Sequence, residues 1–418
     1  MTHSPAGLDI DGTRLWQSLM DMAKIGPIPG NGSCRQALTD LDAAGRALFS
    51  DWCREAGLSL STDAIGNLFA RCEGTDPSLP PVVMGSHLDT QPTGGRFDGI
   101  YGVMAALEVV RSLKDQGIKT RHPLEIAVWM NEEGARFSPP LMGSGVFAGR
   151  LQERTVLDAV AQDGARLEDE LLRLGWRGAR PAAVAAHPLA AYFEAHIEQG
   201  PVLEAGGQEV GIVTGARGQR WYEATITGRE AHAGPTPMAL RRDALSAAAR
   251  LILEIERIGR AHGEDACATV GILDVEPHSR NVIPGRCFLT IDLRHADEDI
   301  LALMETELKA AVARLDRDGI GVTLADFWRF PVTHFDPVLI GRVRNSARAH
   351  GFRHRDIVSG AGHDAVYLSG VAPTAMIFIP CVGGISHNPA ENIDPVHAAM
   401  GCAMLKDAVL ATANPVKA

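Results

Sequence analysis

Four short segments of the chain carry side chains able to bind metal ions or move protons, and each falls where an apolar, strand-like run ends. The run PVVMG delivers His87-x-Asp89, and a glycine-rich loop then carries Asp98 into an apolar helical pattern. LEIAVWM is followed by Asn131-Glu132-Glu133; His196-x-Glu198-Gln199 and His387 come later. In open α/β sheets the crevice beyond the carboxyl ends of the strands is where sites form, so this placement implies convergence. Taken singly, each feature has an ordinary structural reading. A lone His is a satisfied or surface residue, a Glu pair after a strand complements a helix dipole, and Gly94-Gly95 makes a turn. Three histidines, a loop Asp and a Glu pair, all at strand ends, are hard to assign separately to surface decoration.

The chemistry asks for such a set. Imidazole and carboxylate suit zinc or manganese, with cobalt or nickel tolerated by similar sites, and a carboxylate can bridge two ions with one oxygen on each. Two ions about 3.5–4 Å apart can polarise a carbonyl and lower the pKa of a water to about 7. A carboxylate that binds neither ion then serves as general base, which gives Glu132 and Glu133 distinct jobs. Asp89 is spaced to orient a ligating His87. The glycine-rich loop lacks the Gly-Lys-Ser/Thr of a phosphate-binding loop and reads instead as the spacer between two ligands.

These residues need a scaffold of alternating elements. Helical patterns cover 11–24 and 38–56, and short strands follow in LSLSTD and NLFARC. PVVMGSHLD and LEIAVWM flank a helix whose apolar residues recur at 103, 107, 110 and 113. That alternation implies an α/β domain with a mainly parallel sheet. From about 212 the pattern changes: strand QRWYEATITG, a helix at 237–261, strands CATVGILDV and RCFLTIDLR, a helix at 297–316, and strand GVTLADFWRF. This β-α-β-β-α-β order is the split βαβ arrangement. It predicts an inserted α+β domain at 212–327 between the two parts of a catalytic domain, 1–211 and 328–418.

Bulk properties narrow the partners. The chain has 418 residues, 45% hydrophobic and 22% charged, enough for more than one domain. A net charge of −11 repels nucleic acid and anionic lipid. No run is long and apolar enough to span a bilayer, and MTHSPAGLDIDGTRLW has no secretory pattern. Seven cysteines without a CxxC pair predict reduced thiols in a cytoplasmic protein and argue against a cysteine zinc site.

GSHLDTQPTGGRFDGIYGV, NEEGARF, HIEQGPVLE, GREAHAGPTPM, SRNVIPG with DLR, SGAGHDA and GISHNPAE closely resemble the dinuclear-metal amidohydrolases of the M20 peptidase superfamily. Within it they resemble the hydantoinase/carbamoylase branch, which holds N-carbamoyl-L-amino acid hydrolases, β-ureidopropionase and allantoate amidohydrolase. The match runs from GNGSCRQALTDLD to HNPAEN, and HIEQGPVLE is its most telling block, because peptidase relatives usually carry a carboxylate where His196 stands.

The resemblance implies two divalent metals per subunit. His87, Asp98 and His196 would hold one, and Asp98, Glu133 and His387 the other, with Asp98 bridging. Glu132 would be general base and acid, Asp89 would orient His87, and Gln199 would contact the ureido group of a small ureido acid. From the inserted domain His232 would stabilise the oxyanion, and Asn281 and Arg294 would bind the substrate carboxylate, acting from the partner of a homodimer or from a closing lid. The implied reaction is hydrolysis of N-carbamoyl-L-amino acids to amino acid, ammonia and carbon dioxide. Its rivals are allantoate hydrolysis, a peptidase-type amide hydrolysis and a non-catalytic binding protein.

Overall fold

Residues 8–316 and 319–414 are described by the computed structural model. The chain forms two compact units, Met1–Gly215 with His334–Ala418, and Ala216–Thr333. Sequence patterning places the breaks at 212 and 328. The strand Val210–Ala216, however, pairs antiparallel with Thr374–Ile379 in the large sheet, and Gly321–Phe330 closes the small sheet. The chain therefore crosses between units a few residues later at each end.

Among the described residues of the larger unit, nine strands form one sheet. Four central strands run parallel: Thr374–Ile379, Ala191–Ile197, Val82–His87 and Leu124–Trp129, in that order across the sheet. Leu68–Cys72 and Ser59–Thr62 extend it antiparallel on one side. The sheet is thus mixed, with parallel pairing concentrated at the centre. All four central strands are buried along their whole length, as expected of strands covered on both faces. The helices Ile100–Asp115 and Pro395–Ala413 pack against it, and both bury residues around most of their circumference.

From Val82–His87 the connection to Leu124–Trp129 goes to one side, whereas Ala191–Ile197 and Thr374–Ile379 lie on the other. This reversal is a topological switch point, and the crevice beyond the carboxyl ends of these strands is the place the fold offers for a site.

The smaller unit has an antiparallel sheet ordered Cys267–Glu276, Arg286–His295, Gly218–Thr227, Gly321–Phe330. Helices Ala244–Ala261 and Glu298–Leu315 supply Leu251, Ile255, Leu301, Met304 and Leu308 to a core shared with Tyr222, Ala224, Leu289 and Ile291. This is the ferredoxin-like split βαβ fold. The first of these helices starts later than the apolar pattern suggests. Asp243 caps it by accepting from the Ser246 N–H at 3.0 Å, and Met238–Leu240 forms a separate 3-10 turn after Pro237.

A buried ion cluster fixes one end of the small sheet. Glu305 is 7% exposed and receives the Arg329 guanidinium at 2.8 and 3.0 Å. Arg220, also buried, bonds both Glu305 and Glu298, and Lys309 bonds Glu305. Hydrogen bonding from Arg329 leads the effects that hold the Glu305 carboxyl well below the usual range, although burial opposes it. Because that pKa is depressed, the contribution to stability is present above the unfolded-state pKa and is lost as pH falls through the folded one. Glu305→Ala leaves the buried Arg220 with Glu298 alone and takes the shared acceptor from Arg329 and Lys309. It should cost about 3–5 kcal/mol, read as faster hydrogen exchange in Gly218–Thr227 and Glu298–Leu315 with the larger sheet unaffected.

Candidate metal centre

The four parallel strands bring their carboxyl ends together. His87 is the last residue of its strand and pairs in register with Trp129, so Asn131, Glu132 and Glu133 follow directly alongside. His196 lies near the end of its strand, and Gln199 follows it. The loop after Thr374–Ile379 leads to His387.

Asp98 reaches this group through the GGRFDG loop. Gly99 has φ +71, and a Cβ there would stand 2.3 Å from the His87 ring. A Cβ at Gly95 would stand 2.0 Å from a Glu391 carboxylate oxygen. Only glycine fits at either place, which explains the composition of the loop better than any phosphate-binding role.

Two groups of metal-type donors result, His87–Asp98–His196 and Asp98–Glu133–His387, with the donor atoms of each within 4.8 Å of one another. Asp98 belongs to both. Its Oδ1 lies 3.3 Å from His196 Nε2 and its Oδ2 lies 3.2 Å from His387 Nε2. Glu133 Oε2 is 3.4 Å from the same His387 nitrogen, and Gln91 holds Glu133 through its backbone and side-chain N–H groups at 3.1 and 2.7 Å. His87 Nδ1 faces the Asp89 carbonyl at 2.9 Å and His196 Nδ1 the Ile197 carbonyl at 2.9 Å. Each Nδ1 thus keeps the proton and directs an Nε2 lone pair inward, the orientation expected of metal ligands.

The donors are crowded, and all but the half-exposed His387 are largely withdrawn from water. Burial pushes the His87 imidazolium down to about 4, leaving it neutral at pH 7. Burial, then the Asp98 charge, pushes the Glu133 carboxyl up to about 8. Burial also acts to raise Asp98, but the His387 hydrogen bond and the proximity of the His196 and His87 rings outweigh it and hold that carboxyl low. Inward lone pairs and closely spaced carboxylates form a nitrogen and oxygen donor set suited to divalent cations of the zinc and manganese type. The residues present fit a pair of such ions.

Glu132 stands beside the donors, with Oε2 3.4 Å from His87 Nε2. Burial, followed by the charges of Asp364 and Glu133, pushes its carboxyl well above the usual range. Asp89 departs from the expectation drawn from spacing. Its backbone carbonyl orients His87, whereas its carboxylate, 3.8 Å from the ring nitrogen, accepts the N–H groups of Glu132 and Glu133 at 3.3 and 3.2 Å. The side chain therefore holds the Glu-Glu turn rather than the imidazole. Asn131, Gln199 and His387 have φ of 53, 59 and 52, left-handed conformations that non-glycine residues adopt where surrounding structure enforces them. Gln199, expected to face substrate, donates from Nε2 to Asp98 Oδ2 at 2.9 Å.

Sequence reading passed over Glu194, His363 and Glu391. Glu194, His196 and His363 also form a donor group. Glu194 is already satisfied by the Ser86 hydroxyl at 2.7 Å, the Ala365 N–H at 3.0 Å and the Tyr192 hydroxyl at 3.3 Å. The SGAGHDA and GISHNPAE segments were the available signals for His363 and Glu391.

In the smaller unit, His232 and Asn281 are brought together. His232 sits on a two-stranded ribbon opposite Val282, and the Asn281 carbonyl accepts the Ala233 N–H at 2.9 Å. Arg294 lies on the four-stranded sheet, where Asp292 holds its Nε and Nη2 at 2.9 and 2.7 Å.

Residues 83–411 match the model of peptidase family M20/M25/M40. An N-carbamoyl-L-amino-acid amidohydrolase of Rhizobium meliloti is 47% identical, with 98% of each chain covered. An allantoate amidohydrolase of Bacillus subtilis is 34% identical over 84% of this chain and 85% of its own. The crystal structure of an amidase of the hydantoinase/carbamoylase family from Burkholderia multivorans superposes with a TM-score of 0.91 at 52% identity, covering 98% of this chain and all of that one (100%). Matched in sequence, extent and fold, the chain belongs to peptidase family M20/M25/M40, on its hydantoinase/carbamoylase branch.

Proposed function

We propose that the protein is a metal-dependent amidohydrolase that cleaves the ureido C–N bond of N-carbamoyl-L-amino acids, releasing amino acid, ammonia and carbon dioxide. The observation that carries this reading is Asp98, whose two oxygens face two separate sets of donors. The 47% identity to an N-carbamoyl-L-amino-acid amidohydrolase supports the substrate class.

In this reading His87, Asp98 and His196 hold one divalent ion and Asp98, Glu133 and His387 the other, zinc or manganese first, with cobalt or nickel tolerated. When bound, such ions supply Lewis acidity toward the carbamoyl oxygen and make water acidic enough to lose a proton near neutral pH. Glu132 takes that proton as the water oxygen adds to the carbamoyl carbon, and returns it to the departing amino-acid nitrogen; the carbamic acid left then breaks down to ammonia and carbon dioxide. Asp89 keeps Glu132 and Glu133 in place through their backbone N–H groups. Gln199 contacts the ureido group. His232 donates toward the oxygen that becomes negative, the contribution that is usually largest in such reactions. Asn281 and Arg294 take the substrate carboxylate, for which the planar guanidinium fork is well shaped. The last three act from the inserted unit, as a lid or across a homodimer formed through that unit. All seven cysteines are unpaired, which supports a cytoplasmic setting.

Allantoate hydrolysis is the second reading, favoured by the Bacillus subtilis relative. Ammonia release from N-carbamoyl-L-amino acids, N-carbamoyl-β-alanine and allantoate, each with several divalent metals, separates the two. Turnover of N-carbamoyl-L-amino acids should exceed that of allantoate, and the reverse order would overturn the preferred substrate. Glu132→Gln should abolish turnover while metal content by atomic emission is retained; near-wild-type rates would remove Glu132 from the proton-transfer role. Arg294→Lys should raise KM for carboxylate substrates by about tenfold or more, through loss of a bidentate pair. An unchanged KM would take Arg294 out of the site.

A further inference from the structure

Glu391 lies in the loop that follows the last parallel strand and is 1% exposed. Its Oε1 accepts the backbone N–H groups of Phe97 and Asp98 at 3.0 and 3.1 Å. Its Oε2 accepts the Ser386 hydroxyl at 2.9 Å. One carboxylate thus spans two loops nearly three hundred residues apart in sequence (|i−j| 293). The first carries Asp98 and the second carries His387, the neighbour of Ser386.

These donors are neutral groups, and together they meet both oxygens of a carboxylate that is costly to bury unless hydrogen-bonded. The surroundings are built to the same purpose. Gly95 gives up its side-chain space to the Glu391 carboxylate, since a Cβ there would lie 2.0 Å from Oε1 and 2.5 Å from Glu391 Cβ. A Cβ at Gly32 would lie 2.8 Å from Pro389, so the same loop is seated closely on a second segment. His387 has φ 52, a conformation that persists when neighbouring contacts over-determine it.

We propose that Glu391 is a positioning residue that straps the Asp98 loop to the His387 loop and thereby sets the affinity of the metal position those two ligands share. The proposal rests on the two-ion reading above. The strap acts at the backbone of Asp98 and beside His387, whereas His87 and His196 are placed by their own strands. Its loss therefore weakens the ion of Asp98, Glu133 and His387 more than the other, which shares Asp98 but keeps two ligands held by strands. Partners of this kind, one step removed from the metal, typically change affinity by about 10–100-fold when deleted.

The test is calorimetric titration of Mn²⁺ into the chelator-stripped full-length protein, with melting of each metal-free variant as a check on folding. Wild type should show two binding events. Glu391→Ala should keep one within a few-fold and weaken the other about 10–100-fold. Glu391→Gln should restore the weakened event, because its Oε1 keeps both backbone N–H groups and its Nε2 can donate to the Ser386 oxygen. That rescue distinguishes a strap from a simple contribution of negative charge. Gly95→Ala, which displaces the carboxylate, should reproduce the Glu391→Ala pattern. Ser386→Ala should weaken the same event less, and it carries the test if Glu391→Ala does not fold. Two unchanged events in Glu391→Ala, equal weakening of both, or a Gln variant as impaired as Ala would each overturn the proposal. A wild-type protein taking up one ion per subunit would instead contradict the two-ion reading itself.

Discussion

The architecture turns on one buried charge. Asp98 is 3% exposed, and a carboxylate so far from water is stable only where cations or strong donors replace its hydration. Here His387 and Gln199 approach one oxygen, and the other faces the Nε2 lone pair of His196, the place for a cation. Everything else at the strand ends can be read as keeping those approaches in place. The strands fix His87 and His196. Gly99 makes room for the imidazole beneath it, and Asp89 and Gln91 hold the Glu-Glu turn that presents Glu133. A site of this kind is spread across the chain in sequence yet compact in space, because four parallel strands end side by side.

The donors were legible because parallel strands buried on both faces read as continuous apolar runs, and a polar residue at the end of such a run has few places to go but the crevice. His87, Glu133 and His196 follow that logic, whereas Asp98 and His387 lie in the loops that continue from such runs. The second, ferredoxin-like fold was equally readable, since its strand and helix periods follow one another without interruption. Less legible was anything that depends on lateral neighbours. The mixed character of the large sheet comes from strands such as Val210–Ala216, whose direction the local sequence does not encode. Asp89 illustrates the same limit at the scale of one side chain. Spacing placed it beside His87, but the adjacent strand brings the Glu132 and Glu133 N–H groups within reach of its carboxylate, and the backbone carbonyl is left to orient the ring.

Glu391 escaped for a related reason. Its hydrogen-bond partners are backbone groups, which carry no residue signature, and they belong to a loop far upstream. Besides the GISHNPAE segment itself, the trace in sequence is the glycine at position 95, which resembles an ordinary turn until the space its side chain would need is found occupied. The helix expected from 237 shows local chemistry deciding a boundary instead. Asp243 provides a capping oxygen at a point where the apolar pattern alone gives no reason to start.

The central claim, that Asp98 divides its oxygens between two divalent ions, is tested most directly by crystals grown with Mn²⁺ and examined by anomalous scattering. Two peaks should flank Asp98, about 3.5–4 Å apart, one bounded by His87 and His196 and the other by Glu133 and His387. A single peak on one side of Asp98, or a peak held by Glu194, His196 and His363, would contradict that claim.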